Sequence, residues 1–99
     1  MIFYYKDVGY ISYEINNDNI FINILHIYKN KRGNNYSYIM ISEFKDFFNK
    51  KLRLFAKEDM ERYNKLFNLY EKIGFKKIGK VSISNIDNKC YRKQLYELT

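Results

Sequence analysis

Apolar residues along this chain alternate between strand-like and helix-like spacing, and the switches mark out the elements. Val8 to Ile15 reads as a strand, and Asn16-Asn17-Asp18-Asn19 as a turn, because Asn and Asp tolerate positive φ and bond their own backbone. Ile20 to Tyr28 follows, with Ile20, Ile22 and Ile24 on one face and Phe21, Leu25 and Ile27 on the other. Apolar residues on both faces predict a central strand covered on both sides. The two strands should pair as an antiparallel hairpin. Lys29 to Asn35 is a polar loop, and then the spacing changes: Tyr36, Met40, Phe44 and Phe47 or Phe48 form one stripe of a helix ending near Asn49.

Leu52 to Ala56 has the composition of a short buried strand, and Lys57 to Arg62 leads into a second helix. Glu58, Asp59 and Glu61 suit the positive N-terminal end of that helix. Its apolar face is Tyr63, Leu66, Phe67, Tyr70 and Ile73. Gly74 can take the left-handed conformation that closes the helix, with Phe75 placed to fold back on the last turn. Two more strands, Ile78 to Ser84 and Cys90 to Leu98, are joined by a turn around Asn85, Asp87 and Asn88. The order is strand-strand-helix-strand-helix-strand-strand, with a parallel, right-handed crossover in the middle.

At 99 residues the chain fits one domain with one core. At 46% hydrophobic and 19% aromatic it is too apolar for a disordered chain. A single cysteine, Cys90, excludes an internal disulfide and favours a cytoplasmic location. With only one histidine beside it, no zinc site is expected, and no metal. The N-terminus lacks a signal-peptide pattern, and no apolar run is long enough for a bilayer, so no membrane partner is expected. The net charge of +7 calls for an anionic partner or simply confers solubility. Its lysines and arginines fall in short clusters and not in one long run, so charge alone does not make nucleic acid the expected partner.

Candidate chemistry concentrates in two segments. Lys31-Arg32-Gly33-Asn34-Asn35-Tyr36-Ser37 lies between a strand end and a helix start, where backbone N–H groups converge at the positive end of a helix and can hold phosphate. Leu69-Tyr70-Glu71-Lys72-Ile73-Gly74-Phe75 is the capped end of the second helix. The latter closely resembles the end of the last helix in the GNAT superfamily of acetyl-CoA-dependent N-acetyltransferases. The former resembles that family's pyrophosphate loop, with Arg32 at its first position, Asn35 where a glycine is usual and Ser37 in place of the final small residue. Val8-Gly9-Tyr10-Ile11 is similar to the family's second strand and Cys90 to Leu95 to its closing strand, in the family's order. The resemblance runs from that second strand onward and lacks the usual first helices.

The resemblance implies a single minimal N-acetyltransferase domain over residues 1–99, of α+β class, with a mixed, mostly antiparallel sheet flanked by two helices. It implies acetyl transfer from acetyl-CoA to a primary amine, with a protein lysine or N-terminus as the preferred acceptor. The pantetheine arm would lie along Leu25, His26 and Ile27, and the pyrophosphate on Arg32, Gly33, Asn34, Asn35, Tyr36 and Ser37. Tyr70 would protonate the departing thiolate, and Asn64 would contact the cofactor. No base stands out: His26, Glu14, Glu58 and Asp59 are all candidates, as is water. Homodimerisation is compatible with this reading. Two rivals remain, a non-catalytic coenzyme A or partner-binding module on the same scaffold and a small basic nucleic-acid-binding protein.

Overall fold

The computed structural model describes the backbone of residues 1–59 and 65–99, with side chains at 1–57 and 66–99. The class is the expected one: six strands in a mixed, mostly antiparallel sheet, and two helices. Contacts group the chain into two compact units, Met1–Leu52 and Arg53–Thr99.

The first unit contains β1 (Ile2–Tyr5), β2 (Gly9–Ile15), β3 (Asn19–Ile27), a single 3-10 turn (Lys29–Lys31) and helix α1 (Tyr36–Phe48). β1 was not expected from the sequence. It pairs antiparallel with β2, from Ile2 opposite Ser12 to Tyr5 opposite Gly9. A tight turn with Lys6 at φ 49° joins them, closed by a bond from the Val8 N–H to the Tyr5 carbonyl at 3.0 Å. The Asn16–Asn19 turn forms as expected, with Asn16 N–H donating to the Asn19 carbonyl at 2.9 Å.

β3 departs from strict alternation. Tyr13 pairs with Ile22 but Ser12 pairs with Ile24, so Asn23 is an extra residue, a β-bulge. Beyond it the faces exchange. Ile20 and Ile22 share their face with Leu25 and Ile27, while Ile24 turns outward and is half exposed. The two-sided apolar pattern in the sequence is therefore one buried face interrupted by a bulge. Packing against that face, α1 buries Met40, Ile41 and Phe44 completely, each burial stabilising by roughly 1.5–3 kcal/mol. Phe44 meets Phe3 and Tyr13 edge-on at 5.2 and 5.1 Å. Of the two candidates for the end of the stripe, Phe48 packs on Tyr13 at 5.1 Å while Phe47 is 73% exposed. At Gly9 the strands come so close that a Cβ would collide with the His26 carbonyl, which explains a glycine inside β2.

β4 (Lys51–Asp59) begins in the first unit and continues into the second, which also holds α2 (Lys65–Ile73), β5 (Lys76–Ile86) and β6 (Lys89–Leu98). β6 lies between β4 and β5. All three strands are longer than the sequence suggested. Asp87 and Asn88, at φ 51° and 64°, make the two-residue hairpin turn that Asp and Asn favour. The β5–β6 register breaks between Ile78 and Ser82, and buried Gln94 fills the break by donating to the Ile78 carbonyl at 2.9 Å. Arg53 on β4 and Glu97 on β6 form an ion pair at 2.8 Å. The core of this unit is Leu54, Ala56, Phe67, Tyr70, Phe75 and Tyr96.

Candidate functional site

The end of β3 and the start of α1 are joined by a structured loop. The 3-10 turn closes with Lys31 N–H donating to the Tyr28 carbonyl at 2.8 Å. Arg32 then folds back, its Nε donating to the Ile27 carbonyl at 3.1 Å. That bond fixes the guanidinium against the strand end, with its two Nη groups uncommitted among the described residues. Lys31 pairs with Asp7 at 3.4 Å. Gly33 sits at φ 88° and Asn35 at φ 60°, so the chain enters the helix through two left-handed residues. Asn35 stands where the resembled family has a glycine, and its backbone adopts a conformation Asn tolerates better than most residues.

Asn35 is the N-cap of α1, yet its side chain makes no capping bond, and the first turn carries no acidic residue. The first bond of the helix is Ile39 N–H to the Asn35 carbonyl, at 3.3 Å. The N–H groups of Tyr36, Ser37 and Tyr38 precede it and have no intrahelical acceptor. Gly33, Asn34 and Asn35 are exposed, and Tyr36 and Ser37 half-buried. Arg32, a left-handed loop and an uncapped helix start with no offsetting carboxylate together form an electropositive end suited to an anion.

Leu25, His26 and Ile27 pair with Ile11, Tyr10 and Gly9 of β2. The Ile27 carbonyl also receives the Arg32 bond. His26 lies among Tyr10 and Tyr28, ring centroids 5.2 and 5.8 Å away. Glu14 is exposed near the end of β2. Asn64, with Glu61, Arg62 and Tyr63, lies outside the described residues, as do the side chains of Glu58 and Asp59.

In the second unit α2 ends as its sequence requires. Gly74 is at φ 120°. The Phe75 N–H donates to the Tyr70 carbonyl at 3.0 Å and the Gly74 N–H to the Glu71 carbonyl at 3.1 Å. These are the two bonds of a Schellman end, and the Phe75 ring meets the Tyr70 ring edge-on at 5.7 Å to complete it. Tyr96 makes the second ring contact with Tyr70, at 6.1 Å. Tyr70 is thus held by its backbone and by two rings, and is 7% exposed. Burial pushes its phenol from 10.0 up to about 12, so it carries its proton at any physiological pH.

What the sequence reading missed is the anchoring of Arg32 and the tyrosines around His26. The run Ile2-Phe3-Tyr4-Tyr5, all β-branched or aromatic, could have signalled β1, which carries part of that tyrosine cluster. Among the described residues there is no cluster of three metal-ligating side chains, and no helix is long and apolar enough to cross a membrane.

No protein-family profile and no curated protein sequence matches the chain. Solved structures do. The ribosomal-protein-S18-alanine N-acetyltransferase of Escherichia coli superposes with a TM-score of 0.74 at 11% identity, over 92% of this chain and 60% of its own. A protein of Bacteroides thetaiotaomicron assigned to the GNAT family as an acetyltransferase gives 0.70 at 16% identity, over 95% and 57%. The spermidine N-acetyltransferase of Vibrio cholerae gives 0.71 at 20% identity, over 92% and 56%. The chain therefore spans somewhat under two thirds of the length of each of these structures. At these identities the likeness is one of fold, and it is consistent across the matches: the chain is a GNAT-fold protein.

Proposed function

We propose that this chain is an acetyl-CoA-dependent N-acetyltransferase acting on a primary amine, with a protein lysine or N-terminus as the preferred acceptor. The observation that carries the reading is the entry to α1, an uncapped helix start behind an anchored Arg32 on a fold whose solved examples include N-acetyltransferases. In this reading Arg32, Gly33, Asn34, Asn35, Tyr36 and Ser37 receive the pyrophosphate, and the backbone of Leu25, His26 and Ile27 lies along the pantetheine arm as a strand would.

The amine, once neutral, attacks the thioester carbonyl. Holding both reactants in one complex makes that attack effectively unimolecular. Collapse of the tetrahedral intermediate breaks the C–S bond, and the thiolate takes a proton from Tyr70. The high pKa of Tyr70 limits how this works. A phenol at about 12 holds its proton more tightly than a thiol at about 8.5, so complete transfer is uphill. The main contribution of Tyr70 is then a strong hydrogen bond as charge develops on sulfur, followed by transfer as the thiolate departs, after which solvent returns a proton to the phenolate. Water receives the proton lost by the amine. A single cysteine, with no partner for a disulfide within the sequence, supports action in the cytoplasm.

Thiol release from acetyl-CoA, measured with spermidine, a lysine-containing peptide and a peptide with a free N-terminus, tests the reading. We expect turnover with at least one peptide. Tight acetyl-CoA binding without turnover on any amine would leave a coenzyme A-binding module instead.

A further inference from the structure

The three-stranded sheet of the first unit has a second face. Phe3, Ile11 and Tyr13 point toward α1, so alternation sends Ile2, Tyr4, Tyr10, Ser12 and His26 to the other side. The bulge at Asn23 adds Ile24 to that side. Tyr4 is 67% exposed, Ile2 and Ile24 are each 50% exposed, and Tyr10, His26 and Tyr28 are half-buried.

The rings on this face form a continuous row. Tyr4 meets Tyr10 at 6.1 Å, Tyr10 meets His26 at 5.2 Å and Tyr28 at 6.4 Å, and His26 meets Tyr28 at 5.8 Å. Cross-strand register sets the row, since Tyr4 lies opposite Tyr10 and Tyr10 opposite His26. The same end of the sheet is cationic. Lys6 belongs to the β1–β2 turn, and Lys29, Lys31 and Arg32 follow β3. The Lys31–Asp7 ion pair shows that these two loops adjoin, and Asp7 is the one acidic residue in their sequences. The opposite end of the sheet carries Glu14 and Asp18 instead. Lys6 thus joins the Lys29, Lys31 and Arg32 cluster at the same end of the sheet as the ring row.

We propose that this face binds single-stranded nucleic acid. Bases would stack on the Tyr4, Tyr10, His26 and Tyr28 row, with phosphates along Lys6, Lys29 and Lys31. Every base offers a π-face, so the row needs no sequence preference, and the cationic end supplies the charge a polyanion needs. A cationic ligand such as a polyamine would meet the same end unfavourably. This binding does not depend on acetyl transfer, although it shares the cationic loop that the proposed cofactor site uses.

Fluorescence anisotropy with a labelled octathymidylate and an octauridylate tests the proposal. Wild-type protein should bind at least one probe, more weakly as salt rises from about 50 to 200 mM. Tyr4→Ala should weaken binding by roughly fivefold or more, the scale of one lost stacking contact. Tyr4 is mostly exposed, so this variant should fold and keep its affinity for acetyl-CoA. Lys29→Ala should weaken binding and flatten the salt dependence, while Tyr38→Ala, on the exposed side of α1, should change nothing. No binding at about 100 μM protein, or equal losses in the Tyr4 and Tyr38 variants, would overturn the proposal. Sedimentation that shows a wild-type dimer reduced to monomer by Tyr4→Ala would also overturn it, making the face a contact between copies.

Discussion

The start of α1 and the end of α2 solve the same problem in opposite ways. Each terminus leaves backbone groups without helical partners, and each turns on a left-handed residue, Asn35 at φ 60° and Gly74 at φ 120°. At Gly74 the chain satisfies itself, with two bonds to the last-turn carbonyls and a ring contact closing the end. At Asn35 nothing closes: the side chain makes no cap, no carboxylate offsets the dipole, and Arg32 is tied down nearby. A finished end holds a side chain in place, and an unfinished one is available to a ligand. In the proposed reading, the first positions the Tyr70 hydroxyl for the departing thiolate and the second receives the phosphates.

The largest effect should come from the finished end. Tyr70→Phe keeps the ring contacts and removes the hydroxyl, and should lower kcat by roughly a hundredfold while acetyl-CoA affinity holds. Steady-state thiol release beside a thermal melt reads both quantities. Near-normal turnover would reduce Tyr70 to packing, and the two ends would then differ only in structure.

Charge reversal at the open end should come next. Arg32→Glu loses the Ile27 bond and places a carboxylate at the loop, so the Kd for coenzyme A should rise by about tenfold or more. Lys80→Glu, an exposed reversal on β5, is the control, and calorimetry on both separates a site from general charge. Equal effects would mean the open end is not a site.

Gly74→Ala sharpens the comparison from the stability side. The backbone there is unfavourable for any side chain, and a Cβ would also touch Leu98 at 3.4 Å. A loss of about 1–2 kcal/mol in urea melts is expected. The smallest effect is in pH. The folded state holds the Tyr70 proton more tightly than the unfolded chain, so this contribution is complete below pH 10 and is lost as pH rises toward about 12. By pH 11 wild type should have lost about 1 kcal/mol more than Tyr70→Phe, measured as the difference between their denaturation curves.

Much of this was legible in the sequence where local rules act alone. The spacing of Leu66, Phe67, Tyr70 and Ile73 and the Gly74-Phe75 stop gave α2 and its closure, because a Schellman end is written in consecutive residues. Asn35 could be read as a left-handed residue for the same reason. Where neighbours decide, the reading failed. The four residues of β1 have strand composition, but nothing in them names β2 as the partner. The bulge at Asn23 is invisible to a fixed period of two, and it turned one buried face into an apparent pair. Gln94 is buried only because a register break in β5 exposes carbonyls for it to meet. The candidate loop was legible as residue types between a strand end and a helix start, but contacts such as the bond from Arg32 to Ile27 were not.

The central claim is that the open start of α1 receives the phosphates of acetyl-CoA, and a direct calorimetric titration of acetyl-CoA into wild-type protein and Arg32→Glu tests it. The account predicts saturable one-to-one binding to wild type, a rise in melting temperature on adding acetyl-CoA, and a clear weakening of both in the variant. No heat and no thermal shift in wild type, at acetyl-CoA concentrations up to about a millimolar, would contradict it.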